Sequence, residues 1–458
     1  MRTNLIRGGT VVLGQNVSQQ DILIQGESIS ELGDLSGRKA DAEIDASGLL
    51  VLPGAVDSHV HFNDEFMNTV SVHDFHKGTL AAAYGGVTSI IDFANQAPGQ
   101  SLASTLEKKK KEAEGEALVD WGVHPVITEA TPEVIEEIPL MIFEGAPTIK
   151  CYMTYRKEGL MVEAEELKQI LKALRDAGGM LMVHAEDNEI IEENIRRMIR
   201  SGKTQPIFHA KSRPPGAEEK AIDRCIQLVR ETYGRLFIVH LASAEGMELV
   251  GAARREGLDI IAETCTHYLL FTEKMLERKD GIKWICSPPL RSQAVQDKLW
   301  EGLRDGRISM VSSDDAAFSW EAKLYGADRF DKCPNGIPGI EPRLSLLYSE
   351  GVVKGRLSLP RLVELVSTVP AILFGLAPKK GSLSPGADAD IVLLDPEASW
   401  TMNKKTLHMA ADWSAYENIE IKGKIMKVFS RGELVIDGER CLAEKGRGRY
   451  LRRKLNFS

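Results

Sequence analysis

Little in this sequence speaks for export or for a membrane. No apolar run approaches the ~20 residues that a membrane helix needs, and the first residues lack an apolar stretch followed by a cleavage site of the secretory kind. The six cysteines, at 151, 225, 265, 286, 333 and 441, never pair as Cys-x-x-Cys. That spacing argues against a structural zinc knuckle and suits reduced thiols better than a disulfide frame. Surplus positive charge is missing as well: the formal net charge of -9 disfavours a general polyanion binder. The basic tail, Arg447, Arg449, Arg452, Arg453 and Lys454, reads as an oligomer contact before a nucleic-acid grip. No Gly-x-Gly-x-x-Gly follows the first strand of the central region, which weakens a dinucleotide fold. No internal repeat or low-complexity tract is found. The expectation is a cytoplasmic, soluble protein with no nucleic-acid or membrane partner.

What is there is rhythm. Residues 4–13, 21–32 and 42–52 cluster β-formers between glycine-rich turns, a small β unit. From Pro53-Gly54 onward short apolar runs alternate with helical patterns, the runs falling at 54–61, 87–93, 121–127, 147–153, 180–184, 236–241, 258–263 and 308–313. Between them Leu167, Ile170, Leu171 and Leu174, and again Ile222, Cys225, Ile226 and Val229, repeat at helical spacing. Eight near-continuous apolar strands, each followed by a helix, predict an α/β fold, a (β/α)8 barrel. A last helix near 359–375 leads into a second β-rich stretch, including 389–394 and 427–429. The predicted organisation is a barrel over 53–378, with 1–52 and 379–458 pairing into one small β-sandwich domain. The run Lys108 to Lys111 reads as the solvated face of a charged helix.

In barrels of this kind the active site lies where the strands end. His59 and His61, two apart at the end of the first strand, point the same way. Alone they would suit a pair of hydrogen-bonded histidines in a polar loop as well as a metal. Strand four, however, contains Lys150, strands five and six end in His184 and His240, and strand eight ends in Asp314. Histidines 73, 76, 124, 209, 267 and 408 mostly lie in helices or loops, or inside a strand. Four histidines and an aspartate gathered at strand ends call for a cation, and they exceed what one tetrahedral zinc uses. A lysine beside two divalent ions must then be neutral, displaced or converted to an anion.

These residues, together with Asp57-Ser58-His59-Val60-His61, Asp74-Phe75-His76-Lys77-Gly78-Thr79, Lys150-Cys151-Tyr152-Met153-Thr154-Tyr155, His184-Ala185-Glu186, Ser287-Pro288-Pro289-Leu290-Arg291 and Gly386-Ala387-Asp388-Ala389-Asp390, resemble the cyclic amidohydrolases of the hydantoinase and dihydropyrimidinase type. The likeness runs through nearly the whole chain and is greatest to microbial hydantoinases, with an L-selective one kept in view. It implies two divalent ions, zinc ahead of manganese, bridged by N6-carboxylated Lys150 and a hydroxide. One ion would rest on His59, His61, Lys150 and Asp314, the other on Lys150, His184 and His240. The resemblance also implies Asp314 as the proton shuttle, Tyr155 as the oxyanion donor, Ser287 and Asn335 as ring-binding positions, and a homotetramer.

The implied reaction is hydrolysis of a small cyclic amide: opening of 5-substituted hydantoins or dihydropyrimidines to N-carbamoyl amino acids or their homologues. Phe62, Phe66, Met67, Phe93 and the 155–161 segment are expected to line the substituent's pocket and to favour aromatic or large aliphatic groups. Two departures bear on this. Asp315 stands where many relatives have a histidine, which puts support of Asp314 in doubt. After His61 the chain reads Phe62-Asn63-Asp64-Glu65, without the arginine of the dihydroorotase branch and without the Pro-Gly-Arg of allantoinases. Allantoinase is the alternative reading, and a metal-free scaffold protein the remote one, since every ligand position is filled.

Overall fold

The computed structural model describes residues 2–456. Eight parallel strands, which we number β1 to β8, follow the apolar runs: β1 (Ala55–Val60), β2 (Val87–Asn95), β3 (Asp120–Val126), β4 (Thr148–Tyr152), β5 (Met180–His184), β6 (Leu236–Ile238), β7 (Ile260–Cys265) and β8 (Met310–Ser312). Each pairs with the next in order from β1 to β8, and the ring closes through a parallel bridge from Val60 to Asp315. The expected barrel is therefore present.

Alternation along the strands sorts their side chains into two layers. Met180 and Met182 of β5, Phe237 of β6 and Met310 of β8 fill the barrel interior, whereas Leu181, Val183, Ile238 and Val311 pack outward against the helices. Phe374, just past the last helix (Val369–Leu373), and Leu455 of the tail join the interior cluster. The helices lie where the periodicity puts them. Leu167, Ile170, Leu171 and Leu174 are the buried face of Ala164–Ala177, which ends at Gly178 with φ 80°, a left-handed conformation that suits glycine. Among the described residues no helix is long and apolar enough to cross a membrane.

The two chain ends meet in one small domain. Strand Leu50–Pro53 pairs antiparallel with residues 391–394, joining five strands of the N-terminal segment to four of the C-terminal one in a single nine-stranded sheet. That sheet wraps round its own core, in which Ile22, Ile24 and Ile29 from one end meet Ile391, Leu393 and Phe429 from the other. The basic tail packs back onto its own barrel. Trp121 N–H donates to the carbonyl of Arg449 (3.0 Å) and Leu451 N–H to that of Trp121 (2.7 Å), Arg449 pairs with Glu27 at 2.6 Å, and Arg453 is buried. Most of the positive charge that suggested an oligomer contact is thus in use within the chain.

Candidate metal centre

The inward phase of the strands continues past their ends into chemistry. His184 follows Met180 and Met182 on β5; Asp314 follows Met310 and Ser312 on β8. His59, His61, Lys150, His184, His240 and Asp314, drawn from five strands, line one cavity at the C-terminal face, together with Tyr155, Ser287, Asn335 and Phe66. Asp314 Oδ1 lies 3.1 Å from His59 Nε2 and 3.4 Å from His61 Nε2. The rings of His184 and His240 are 4.5 Å apart between centroids, and those of His59 and His240 5.4 Å. His240 and Asp314 leave their strands with positive φ, 38° and 49°, and Tyr155 has φ 68°. Such backbone is costly in non-glycine residues and persists where the surroundings hold it.

A carboxylate fixes each of three histidines from behind. Glu263 Oε1 meets His59 Nδ1 at 2.5 Å, Asp64 Oδ2 meets His61 Nδ1 at 2.7 Å, and Glu186 Oε2 meets His184 Nε2 at 2.7 Å. Each ring therefore turns its other nitrogen toward the centre, the arrangement that sets the tautomer of a metal-ligating imidazole. The remaining atoms show what is wanted there. Among the described residues His240 Nδ1 and Lys150 Nζ are buried without a hydrogen-bond partner, and buried polar atoms of this kind need a partner or an ion. His59, His61 and Asp314 can offer one ligand atom each within 4.8 Å of one another. The donor set fits divalent cations.

Lys150 is wholly buried, with its Nζ 5.2 Å from the centre of the Phe93 ring and 4.9 Å from that of Tyr152. Burial pushes its ammonium down to about 7. Burial alone would raise the Asp314 carboxyl, but the neighbouring His59 and His61 outweigh it and hold it well below the usual carboxylate range. Burial pushes the Tyr155 hydroxyl up to about 12; its oxygen accepts a hydrogen bond from Asn335 Nδ2 at 3.1 Å.

The aromatic positions divide differently from the expectation. Phe66 lines the cavity, joined by Leu160, Tyr152 and Phe318, which the sequence reading did not single out for the pocket, apart from Leu160 in its segment. Phe93 lies against the histidines, 4.8 Å from the His59 ring and 4.9 Å from that of His61. Phe93, Phe62 and Met67 are all outside the lining. With His61 facing inward, Phe62 faces outward, edge-on to Phe75 at 5.8 Å and against Gly78, where a Cβ would meet its ring at 2.4 Å. Met67 sits in the turn of a hairpin between Glu65–Phe66 and Thr69–Val70. Asp315 is fully engaged: Oδ2 meets His73 Nδ1 at 2.6 Å, Oδ1 accepts from the N–H groups of Gly339 (2.7 Å) and Ile340 (3.1 Å), and its carbonyl accepts from His61 N–H at 2.9 Å. Asp315 thus has an imidazole partner in His73.

Lys109 departs from the solvated-face reading of its helix, which the exposed Lys108 and Lys111 keep. It is buried, its Nζ 2.9 Å from Asp92 and 3.5 Å from Asp64, and it donates to the carbonyl of Phe62. Asp92 in turn accepts from the N–H of Phe62 at 3.2 Å. The lysine thereby pins the segment that carries His61 and the carboxylate that orients it. Lys109→Met leaves two buried carboxylates without their cation, a loss of about 3–5 kcal/mol. Thermal unfolding should record that loss, and retention of metal against a chelator should fall by about tenfold or more, as when the support of a ligand is removed. A solvent-facing lysine would move neither measurement.

Carboxylates and imidazoles gathered at the mouth of an eight-stranded parallel barrel define a metal-using barrel enzyme. The chain belongs to the amidohydrolase family, whose profile matches residues 50–435. It is 41% identical to a D-phenylhydantoinase of Escherichia coli over 98% of both chains. Identity to a D-hydantoinase of Geobacillus stearothermophilus is 38%, over 98% of this chain and 96% of the relative. The crystal structure of a dihydropyrimidinase from Brevibacillus agri superposes with a TM-score of 0.97, at 38% identity and over the full length of both chains.

Proposed function

We propose that this protein hydrolyses the ring of 5-substituted hydantoins, and of dihydropyrimidines, releasing N-carbamoyl amino acids or their homologues. The observation that carries the reading is the pair of buried, unpartnered atoms Lys150 Nζ and His240 Nδ1, set beside the His59, His61 and Asp314 cluster at the mouth of the barrel, in a chain whose full-length relatives bear hydantoinase names. Those names favour hydantoinase over the allantoinase alternative, and the D hand over the L hand that the sequence raised. A cytoplasmic homotetramer remains part of the proposal.

His59, His61, carboxylated Lys150 and Asp314 would hold one divalent ion, zinc ahead of manganese, and carboxylated Lys150, His184 and His240 the other. Bound there, such ions polarise a carbonyl and lower the pKa of water to about 7 at a favourable site. The protein's own groups supply the rest. Asp314, ionised, takes a proton from the attacking water and returns it to the leaving ring nitrogen. In hydantoin the bond between N3 and C4 breaks, the carbonyl carbon becoming a carboxylate and the nitrogen a ureido NH2. Tyr155, still protonated at neutral pH and with its oxygen already accepting from Asn335, has its O–H free to donate to the carbonyl oxygen as charge builds there. Main-chain groups near Ser287 and Asn335 hold the imide edge.

The ring's substituent would lie toward Phe66, Leu160 and Phe318. Burying a benzyl-sized group there is worth ~2 kcal/mol, or about a 30-fold preference over unsubstituted hydantoin. Allantoin's ureido group would find too few partners on that wall. Initial rates on benzylhydantoin enantiomers, dihydrouracil, allantoin and dihydroorotate test the reading. Benzylhydantoin should lead, the D enantiomer ahead, and fastest turnover of allantoin or dihydroorotate would overturn it.

A further inference from the structure

Beside the centre just described lies a second group of ligand atoms, which shares Asp314 with it and adds two residues that its chemistry does not use. Cys265 Sγ, a ring nitrogen of His267 and a carboxylate oxygen of Asp314 lie within 4.8 Å of one another, the same closeness that groups His59, His61 and Asp314. Cys265 ends β7, and His267 opens the short helix that follows it, Thr266–Leu270. Both side chains are buried, at 0% and 1% exposure. The thiol lies 3.4 Å from Ser312 Oγ. His267 is the independent sign of a ligand: among the described residues neither Nδ1 nor Nε2 has a hydrogen-bond partner. An imidazole carries a donor and an acceptor when neutral, and leaving both unmet in the interior is unfavourable. Asp314 has two oxygens. Since Oδ1 faces His59 and His61, the carboxylate can face two ions at once.

We propose that Cys265, His267 and Asp314 form a third cation site, inhibitory and selective for a soft divalent ion of the zinc and cadmium class, reached through the active cavity that Asp314 lines. A sulfur, a nitrogen and an oxygen donor suit such an ion and not magnesium or calcium. On binding, the S–H bond of Cys265 gives way to a sulfur–metal bond, the proton passes to water, and the imidazole and carboxylate complete the coordination. The ion then holds Asp314, so that the carboxylate no longer accepts or returns a proton. Inhibition rests on the role proposed above for Asp314; binding does not.

The two claims separate in one experiment. Holoenzyme carrying its usual ions is titrated with cadmium alone, following the ultraviolet thiolate-to-cadmium charge-transfer band, the number of ions bound, and the rate. One further equivalent should bind with appearance of the band, and the rate should fall with the same midpoint. Cys265→Ser should lose the band and raise the inhibition midpoint by about tenfold or more, since a hydroxyl replaces a soft thiolate. His267→Gln should raise the midpoint comparably while leaving the thiol in place, so the test survives if the serine variant folds poorly. Cys286→Ser, which removes a thiol of the cavity wall, should change neither. No additional equivalent, a band that persists in Cys265→Ser, or a band lost in Cys286→Ser would overturn the site. Binding with the band but without inhibition would overturn the inhibitory claim alone.

Discussion

Purified Lys150→Ala should contain almost no divalent metal at either position and should open no ring. The wild-type protein should carry close to two ions per chain. The expectation comes from the lysine's surroundings: among the described residues its wholly buried Nζ has no hydrogen-bond acceptor, so that even with the Phe93 and Tyr152 rings nearby the site is a poor place for an ammonium and a poorer one beside dications. Burial brings its ionisation to about 7, so at neutral pH a large share is free amine. The free amine is the form that adds carbon dioxide, forming an N–C bond, releasing a proton and leaving a carbamate. Such a carbamate would offer an anionic oxygen donor in place of a repelled ammonium, between ligand sets whose His59 and His240 rings lie 5.4 Å apart. Alanine removes both the bridge and the charge. A small carboxylate such as acetate or propionate, added with metal, should restore part of the occupancy and activity by filling the space left. Full metal content and activity in Lys150→Ala would end the carbamate reading. Elemental analysis of the protein as purified, and carbon-13 bicarbonate labelling of wild type, measure the two halves of the claim.

The barrel was legible because its strands are buried on both sides and so read as continuous apolar runs. The eight runs coincide with β1 to β8 to within a few residues. The metal-centre residues were legible for a related reason: a histidine, lysine or aspartate at the end of such a run stands out against it. What could not be read was pairing at a distance. Lys109 sits in a run of four lysines and looks solvated; only the fold shows that Asp92, on the outward face of β2, waits opposite it. Asp315 looked like a loss of support until His73, far away in sequence, proved to face it. Phe62 and Met67 follow His61 closely enough to suggest a shared pocket, yet strand alternation turns Phe62 outward and the hairpin turn carries Met67 away. The lining is completed by Tyr152, Phe318 and Gly336, two of which belong to loops whose course no periodicity predicts.

Asp314→Asn should separate holding a metal from moving a proton. The side chain keeps its size and one oxygen, so the contact with His59 and His61 can survive in part, and metal content should stay above half of wild type. Turnover should nevertheless fall by about three orders of magnitude or more, the upper part of what a positioned general acid and base contributes together. The reason lies in the carboxylate's state. His59 at 3.1 Å and His61 at 3.4 Å keep it ionised and therefore able to accept a proton, whereas an amide oxygen in the same place is far too weak a base. Asp314 lies just past the end of β8 with a positive φ of 49° and lines the cavity; asparagine tolerates that backbone as readily as aspartate does. Binding of a substrate analogue should change little, so the loss should appear in kcat and leave KM near its original value. If metal and activity fall together in Asp314→Asn, the residue acts as a ligand first and the proton transfer must be sought elsewhere in the cavity.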